Sequence, residues 1–165
     1  MTGLSLILIG SNLGRRESII NQSIEMMSER CGEVFAVSSL YETEPWGFVA
    51  EQDFLNQVVA VRTEKSPHEL LSELMKIEKE LGRKRHDVEG YESRPIDLDI
   101  LYYDDLIIND DDLILPHPRL HLRRFVLMPL CDVASDYIHP IFKKSSKELL
   151  RCCEDTSEVK LTSPK

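Results

Sequence analysis

The chain has 165 residues, 42% hydrophobic and 30% charged, with a net charge of −9. That length predicts one domain over 1–165, able to bury about 70% of its unfolded surface. The acidic balance argues against a nucleic-acid partner, which needs a basic face. No apolar run reaches the length of a membrane helix, and four cysteines without C-x-x-C spacing or a secretory signal read as reduced thiols in a cytosol; a cytoplasmic monomer is the expectation.

Residues 4–9 form a short apolar run closed by Gly10 and read as a buried strand. A loop over 11–14 follows. Ile19, Ile20, Ile24 and Met27 then recur at helical spacing up to Gly32. Residues 33–41 read as a second strand, 42–53 as a long loop with Pro45 and Gly47, and 54–62 as a third strand. Ser66-Pro67-His68-Glu69 is a helix start, with Ser as N-cap, Pro in the first turn and Glu in the capping-box position. Leu70, Leu74, Ile77 and Leu81 make its buried stripe and Gly82 ends it. A charged loop over 83–93 leads to a strand beginning at Asp97, a turn at Asp104-Asp105, and a short partner strand over 106–108. From Leu120 the pattern is mixed, with a helix from Ser145 and a polar tail over 154–165 that reads as frayed. The order βαββαβ plus a C-terminal extension predicts an α+β, ferredoxin-like sandwich. One sheet face would carry helices and the other would be free for a site.

The chemistry concentrates in Arg94-Pro-Ile-Asp97-Leu-Asp99-Ile-Leu. Strand side chains alternate, so Asp97 and Asp99 share one face, with Cβ atoms about 6.6 Å apart. At an effective dielectric near 20, two full charges at that distance repel by roughly 2.5 kcal/mol. A cation between the carboxylates would remove that penalty, and Mg²⁺ commonly takes one or two carboxylates plus substrate phosphates. Taken alone, D-x-D fits two solvated aspartates at least as well. Arg83, Lys84, Arg85 and Arg94 precede the strand, and Arg119, Arg123 and Arg124 follow with His117 and His121. Arginine forks match phosphate oxygens, so the whole reads as a polyphosphate–Mg²⁺ site. No P-loop or protein-kinase signature is present. His117 and His121 lack an H-E-x-x-H context and a third zinc ligand. Trp46, Phe54, Asn56 and Phe125 are aromatics and an amide that suit a flat heterocycle, or simply core and rim positions.

Together these motifs resemble the 6-hydroxymethyl-7,8-dihydropterin pyrophosphokinase family over nearly the whole domain. The resemblance rests on Gly10-Ser-Asn-Leu13, Ser39-Leu-Tyr-Glu-Thr43-Glu-Pro45-Trp-Gly47, Asp53-Phe-Leu-Asn56, R-x-x-D-x-D-I-L from Arg94, Leu115-Pro-His117-Pro-Arg, and Arg123-Arg-Phe125. It implies transfer of the terminal pyrophosphate of ATP to the pterin hydroxymethyl group, with AMP released and two Mg²⁺ ions bound. By that resemblance Asp97 and Asp99 bind metal, and Arg83 and Arg94 contact the transferring phosphates. Glu78, Arg85, His117 and Arg123 hold ATP, and Ile100 lies against its adenine. Thr43, Pro45, Trp46 and Asn56 edge the pterin, with Phe54 and Phe125 on its faces. Where the family often has Trp-Gly-Pro before the arginine, this chain has Tyr91-Glu-Ser93, and by the resemblance Tyr91 would take the stacking role. Two other classes share features: a D-x-D nucleotide-sugar transferase, for which the chain is short, and a ferredoxin-like RNA-binding module, which would need a basic face and RNP-type aromatics.

Overall fold

In the computed structural model, residues 2–44, 52–82 and 95–162 are described. Pro45, Trp46, Arg83, Arg85, Tyr91 and Arg94 lie outside the described residues.

The first apolar run forms β1 (Gly3–Ser11), and α1 (Arg16–Arg30) buries Ile20 and Met27. Gly32 then turns the chain with φ +149°; a Cβ there would sit 2.0 Å from the Arg62 carbonyl oxygen, so only glycine fits. Next come β2 (Glu33–Val37), β3 (Tyr41–Thr43) and β4 (Phe54–Thr63). The single strand predicted over 33–41 is thus two. Both pair with β4, but Val37 opposes Val59 while Tyr41 opposes Asn56, which leaves one residue too many on the outer side. Ser38 absorbs the mismatch: its backbone N–H donates to Val58 O and its Oγ accepts the Val58 N–H, each at 2.9 Å.

The helix α2 (Pro67–Glu80) has both halves of the predicted capping box, and Leu70, Leu74 and Ile77 are fully buried. It leads past Gly82 (φ +97°) toward β5 (Asp97–Tyr103). The short strand expected to pair with β5 does not. Instead β6 (Ile108–Asn109) pairs with β7 (Ile114–Leu115) as a separate hairpin. The Asp104 carboxylate accepts the Leu4 N–H at 2.9 Å and turns the chain away from β5. The region of mixed pattern contains α3 (Arg124–Ala134), which carries Pro129 inside it, and the helix predicted from Ser145 is α4 (Ser146–Cys152), with Ser145 as the N-cap of a capping box. The tail read as frayed returns to the sheet as β8 (Lys160–Leu161), paired with Tyr41 and Glu42.

The main sheet runs β5-β1-β4-β3-β8, with β2 also on β4, and its pairings are antiparallel. β1 is central. Each of the two β-α-β crossovers therefore skips a strand, and α1 and α2 cover the same face. Their core includes Ile7, Ile9, Leu74, Ile77, Leu98 and Ile100. The opposite face was expected to be free. It is covered as well, by α3 and α4, over Leu6, Leu8, Val58, Leu101, Leu127 and Leu130. The reason lies in β1 and β4, which are apolar on both sides along most of their length, so each face needs a cover.

Candidate functional site

The apolar character of the second face fails at one end of the strands, and there the candidate residues gather. Across the sheet, Tyr41 opposes Asn56, Asn56 opposes Gly10, and Gly10 opposes Asp97. A Cβ added at Gly10 would lie 3.6 Å from Asn56 Oδ1, 3.8 Å from Phe54 Cδ1 and 4.0 Å from Asp97 Cβ. Phe54, Asn56 and Asp97 therefore converge over a bare stretch of backbone. One row further in, Asp99 sits across from Leu8. Both aspartates are partly exposed, while Leu98 and Ile100 between and beyond them are 4% exposed and point into the α1–α2 core. The alternation inferred for D-x-D is present. Ile100, assigned to the adenine, packs in that core.

Asn56 is 2% exposed and its Nδ2 donates to Thr43 Oγ1 at 3.0 Å. That bond directs Oδ1 toward Gly10 as an acceptor. Thr43 also opposes Phe54 in register, so β3 and β4 lock these three positions together.

Glu78 approaches β5 from α2. Its Oε2 accepts the Leu98 N–H at 2.9 Å, and the carboxyl-bearing residue is 4% exposed. β5 is an edge strand, and this backbone amide would otherwise be a buried donor without a strand partner. The bond fixes the backbone between Asp97 and Asp99.

His117 follows a cis Leu115–Pro116 peptide and donates its backbone N–H to Leu101 O at 2.9 Å, which ties its loop to β5. Its Nδ1 accepts the Arg119 N–H at 3.2 Å, so in the neutral ring the proton is on Nε2. Burial, then the Arg123 guanidinium, push the ring down to about 4, against an opposing pull from Asp97. Arg123 is 9% exposed, immediately precedes α3, and sits 5.6 Å over the Phe125 ring. Phe125 shares with Thr43 a cavity of about 250 Å³, whose wall also includes Asp53, Ser157, Glu158 and Lys160. That volume is below the roughly 300–1,000 Å³ typical of drug-sized ligands and suits a ring system. A larger cavity of about 1220 Å³ lies along α2, lined by Leu71, Met75, Glu78 and the Asp111-Asp112 turn.

The fold thus brings together Thr43, Phe54, Asn56, Asp97 and Asp99, and sets His117, Arg123 and Phe125 beside them. Gly10 belongs to the Gly10-Ser-Asn-Leu13 motif, and nothing local marks it as a site position. Its place opposite Asp97 follows only from strand register. Ser157, Glu158 and Lys160 carried no signal, because a polar tail has no periodicity.

Among the described residues, no group of three or more His, Cys, Asp or Glu side chains could hold a metal. Two carboxylates on one strand fit ions that arrive with phosphate ligands, not a protein-only cage.

The imidazoles give a pH dependence. His139 is 2% exposed and held at about 4, mainly by burial and then by His121. For His117 and His139 the folded value lies below the ordinary 6.5. Their contribution to stability is complete above pH 6.5 and drains away as pH falls toward about 4, because the unfolded chain takes up the protons first. Ring-proton NMR titration is expected to give midpoints near 4 for both, with melting temperature falling across that window. Midpoints near 6.5 would contradict the neutral rings.

Comparison with known proteins gives a consistent result. The chain matches the family described as 7,8-dihydro-6-hydroxymethylpterin-pyrophosphokinase (HPPK) over residues 6–135. It is 46% identical to a 2-amino-4-hydroxy-6-hydroxymethyldihydropteridine pyrophosphokinase of Porphyromonas gingivalis, covering 80% of this chain and 90% of the relative. It is 42% identical to the enzyme of that name from Aquifex aeolicus, covering 85% and 86%. Its fold is similar to that of a Plasmodium falciparum HPPK-DHPS structure, with TM-score 0.74 at 17% identity, over 92% of this chain and 45% of that one. The chain thus spans less than half of that fused protein. With a family match over most of its length and pyrophosphokinase relatives of similar size, the chain belongs to the HPPK family.

Proposed function

We infer that this chain transfers pyrophosphate from ATP to the hydroxymethyl group of 6-hydroxymethyl-7,8-dihydropterin, releasing AMP, as a step of folate biosynthesis. The observation that carries the site assignment is the convergence of Phe54, Asn56 and Asp97 on Gly10, in a chain of this family. The sheet order, with β1 between β4 and β5 and both crossovers on one face, supports a ferredoxin-like arrangement carrying a helical extension on the other face.

In this reading the pterin ring lies between Phe54 and Phe125. Asn56 Oδ1, oriented by its bond to Thr43, accepts a ring N–H. Pro45 and Trp46 complete the edge. ATP lies along the outer edge of β5, and the larger cavity along α2, lined in part by Glu78, gives room for a nucleotide. His117, neutral at pH 7, offers Nε2–H to phosphate oxygens, and Arg123 adds a fixed positive charge. Arg83, Arg85 and Arg94 supply further cations and Tyr91 a stacking ring.

The pterin alcohol oxygen forms a bond to the β-phosphorus of ATP, and the bond from that phosphorus to the oxygen bridging the α-phosphate breaks. AMP leaves with the electron pair, and the alcohol proton passes to solvent. Charge is spread over phosphate oxygens, so positioning and electrostatics matter more than a strong base. Asp97 and Asp99 would hold two Mg²⁺ ions, which when bound supply charge stabilisation at the entering and leaving oxygens. Among the described residues no helix is long and apolar enough to cross a membrane. A cytoplasmic monomer working on ATP and a pterin, without nucleic acid, is the accompanying proposal.

The test is product analysis. With ATP, Mg²⁺ and the pterin, chromatography is expected to show AMP and the pterin diphosphate in equal amounts. ADP as product, or nucleotide turnover indifferent to the pterin, would overturn the reading and reopen the glycosyl-transfer or binding-module alternatives.

A further inference from the structure

The C-terminal tail lies beyond the 6–135 family match, yet it touches the site at three consecutive points. Asp155 Oδ2 accepts the backbone N–H of Arg124 at 3.0 Å, in the first turn of α3. That turn carries Arg123 at its cap and Phe125 in its first residues. Burial alone would raise the Asp155 carboxyl, but the Ser157 hydroxyl and the amides of Arg124 and Ser157 outweigh it and hold the group below the usual carboxylate range. Ser157, Glu158 and Lys160 then form part of the wall of the cavity shared by Thr43 and Phe125. Finally, Lys160 and Leu161 pair with Glu42 and Tyr41, and the Thr162 N–H donates to Leu40 O at 3.0 Å.

The tail therefore joins two elements that come from separate parts of the chain. One end caps the helix that presents Phe125; the other extends the sheet at the strand that presents Thr43. Both residues line the cavity of about 250 Å³. Helix and strand also contact each other directly, but the helix start has no side-chain cap of its own from Arg123, so Asp155 supplies the acceptor. Four of the residues around the cavity are acids, Glu42, Glu44, Asp53 and Glu158, against Lys160. Glu42 is already engaged with Arg16 at 3.0 Å. Such a wall favours a neutral, donor-rich heterocycle over a polyphosphate.

We propose that the segment 155–162 is a positioning strap for the pterin subsite, which fixes the spacing of Phe125 and Thr43 and so sets affinity for the ring without contributing to ATP binding. The proposal rests on the pterin-site reading given above.

Its test separates the two. Asp155→Ala removes the cap on α3, Asp155→Asn retains an acceptor, and Thr162→Pro removes the N–H that binds Leu40 O. Pterin dissociation constants are measured by pterin fluorescence in the presence of a non-hydrolysable ATP analogue, beside Asn56→Ala as a reference for the subsite itself. Asp155→Ala and Thr162→Pro are each expected to weaken pterin binding about fivefold to tenfold, the scale of one lost cap or ladder bond. The dissociation constant of the ATP analogue and kcat at saturating pterin stay within about twofold of wild type, well short of a full decade of free-energy change. Asp155→Asn restores most of the affinity. If Asn56→Ala weakens pterin binding while Asp155→Ala does not, the strap is wrong and the subsite stands. If Asn56→Ala leaves pterin binding unchanged, the subsite reading itself fails. A loss of pterin and ATP-analogue affinity in equal measure in Asp155→Ala would show general loosening and also overturn the strap. Should Thr162→Pro fail to fold, Asp155→Ala decides alone.

Discussion

Asp97→Asn is expected to lose about 10³ or more in kcat, the scale of removing a principal electrostatic element from a transition state. In EDTA the same variant should melt higher than wild type. Asp97 and Asp99 stand on one face of β5, both partly exposed, with a Leu98 backbone held between them. Two full charges at strand spacing repel by roughly 2.5 kcal/mol at an effective dielectric of 20. Water, salt and the interactions each aspartate has with other groups offset part of that, so the expected gain on neutralising one of them is at most roughly 1 kcal/mol. With saturating Mg²⁺ and an ATP analogue the order should reverse, because ligand that binds the folded wild type adds to its stability and the variant forfeits that term. Thermal melts of both proteins under both conditions check this. A variant less stable than wild type in EDTA would mean that the Asp97 carboxylate serves the fold as an acceptor, and the repulsion account would be wrong.

Glu78→Ala is expected to damage stability and turnover together. The carboxylate accepts the Leu98 N–H in a buried setting. Deleting it strands that donor, at a cost of about 1–3 kcal/mol. It also frees the backbone between the two aspartates, and geometry at such a site tolerates little displacement. A drop in kcat of about tenfold to a hundredfold should accompany the loss of stability. Glu78→Gln keeps an oxygen for the amide and should recover most of both. If Glu78→Gln is as impaired in ATP-analogue affinity as Glu78→Ala but fully stable, the charge acts on nucleotide and the backbone role is secondary. Urea melts and steady-state kinetics on the pair make the distinction.

The parts of this molecule legible from sequence are those governed by local rules. The capping box at Ser66, the helix start at Ser145, the glycines that follow α1 and α2, and the period-two placement of Asp97 and Asp99 each depend on a few neighbouring residues, and each is present. What escaped depends on distant partners. The covered second face was signalled by the unbroken apolar runs of β1 and β4, since strands buried on both sides lose their alternation. Helix α3 was obscured because Pro129 argues against a helix locally; tertiary burial of Val126, Leu127 and Leu130 overrides it. Strand β8 joins the sheet through backbone pairing of two exposed residues, which no side-chain pattern announces. For the site, residue types and strand faces were readable, whereas the meeting of Asn56, Phe54 and Asp97 at Gly10 is a matter of register between strands far apart in the chain.

The central place of β1 has a consequence for how the molecule comes into being. During synthesis β1 emerges first among the strands, as a nine-residue and largely buried segment, and both of its sheet neighbours, β4 and β5, come later. At a typical elongation rate of about 5–20 residues per second, β1 waits for seconds with unpaired edges and exposed leucines and isoleucines. Nothing local can relieve it, because α1 alone covers only one side. Apolar surface exposed through that interval is prone to aggregation. Asp97 comes opposite Gly10, and Asp99 opposite Leu8, only when β5 pairs with the open flank of β1.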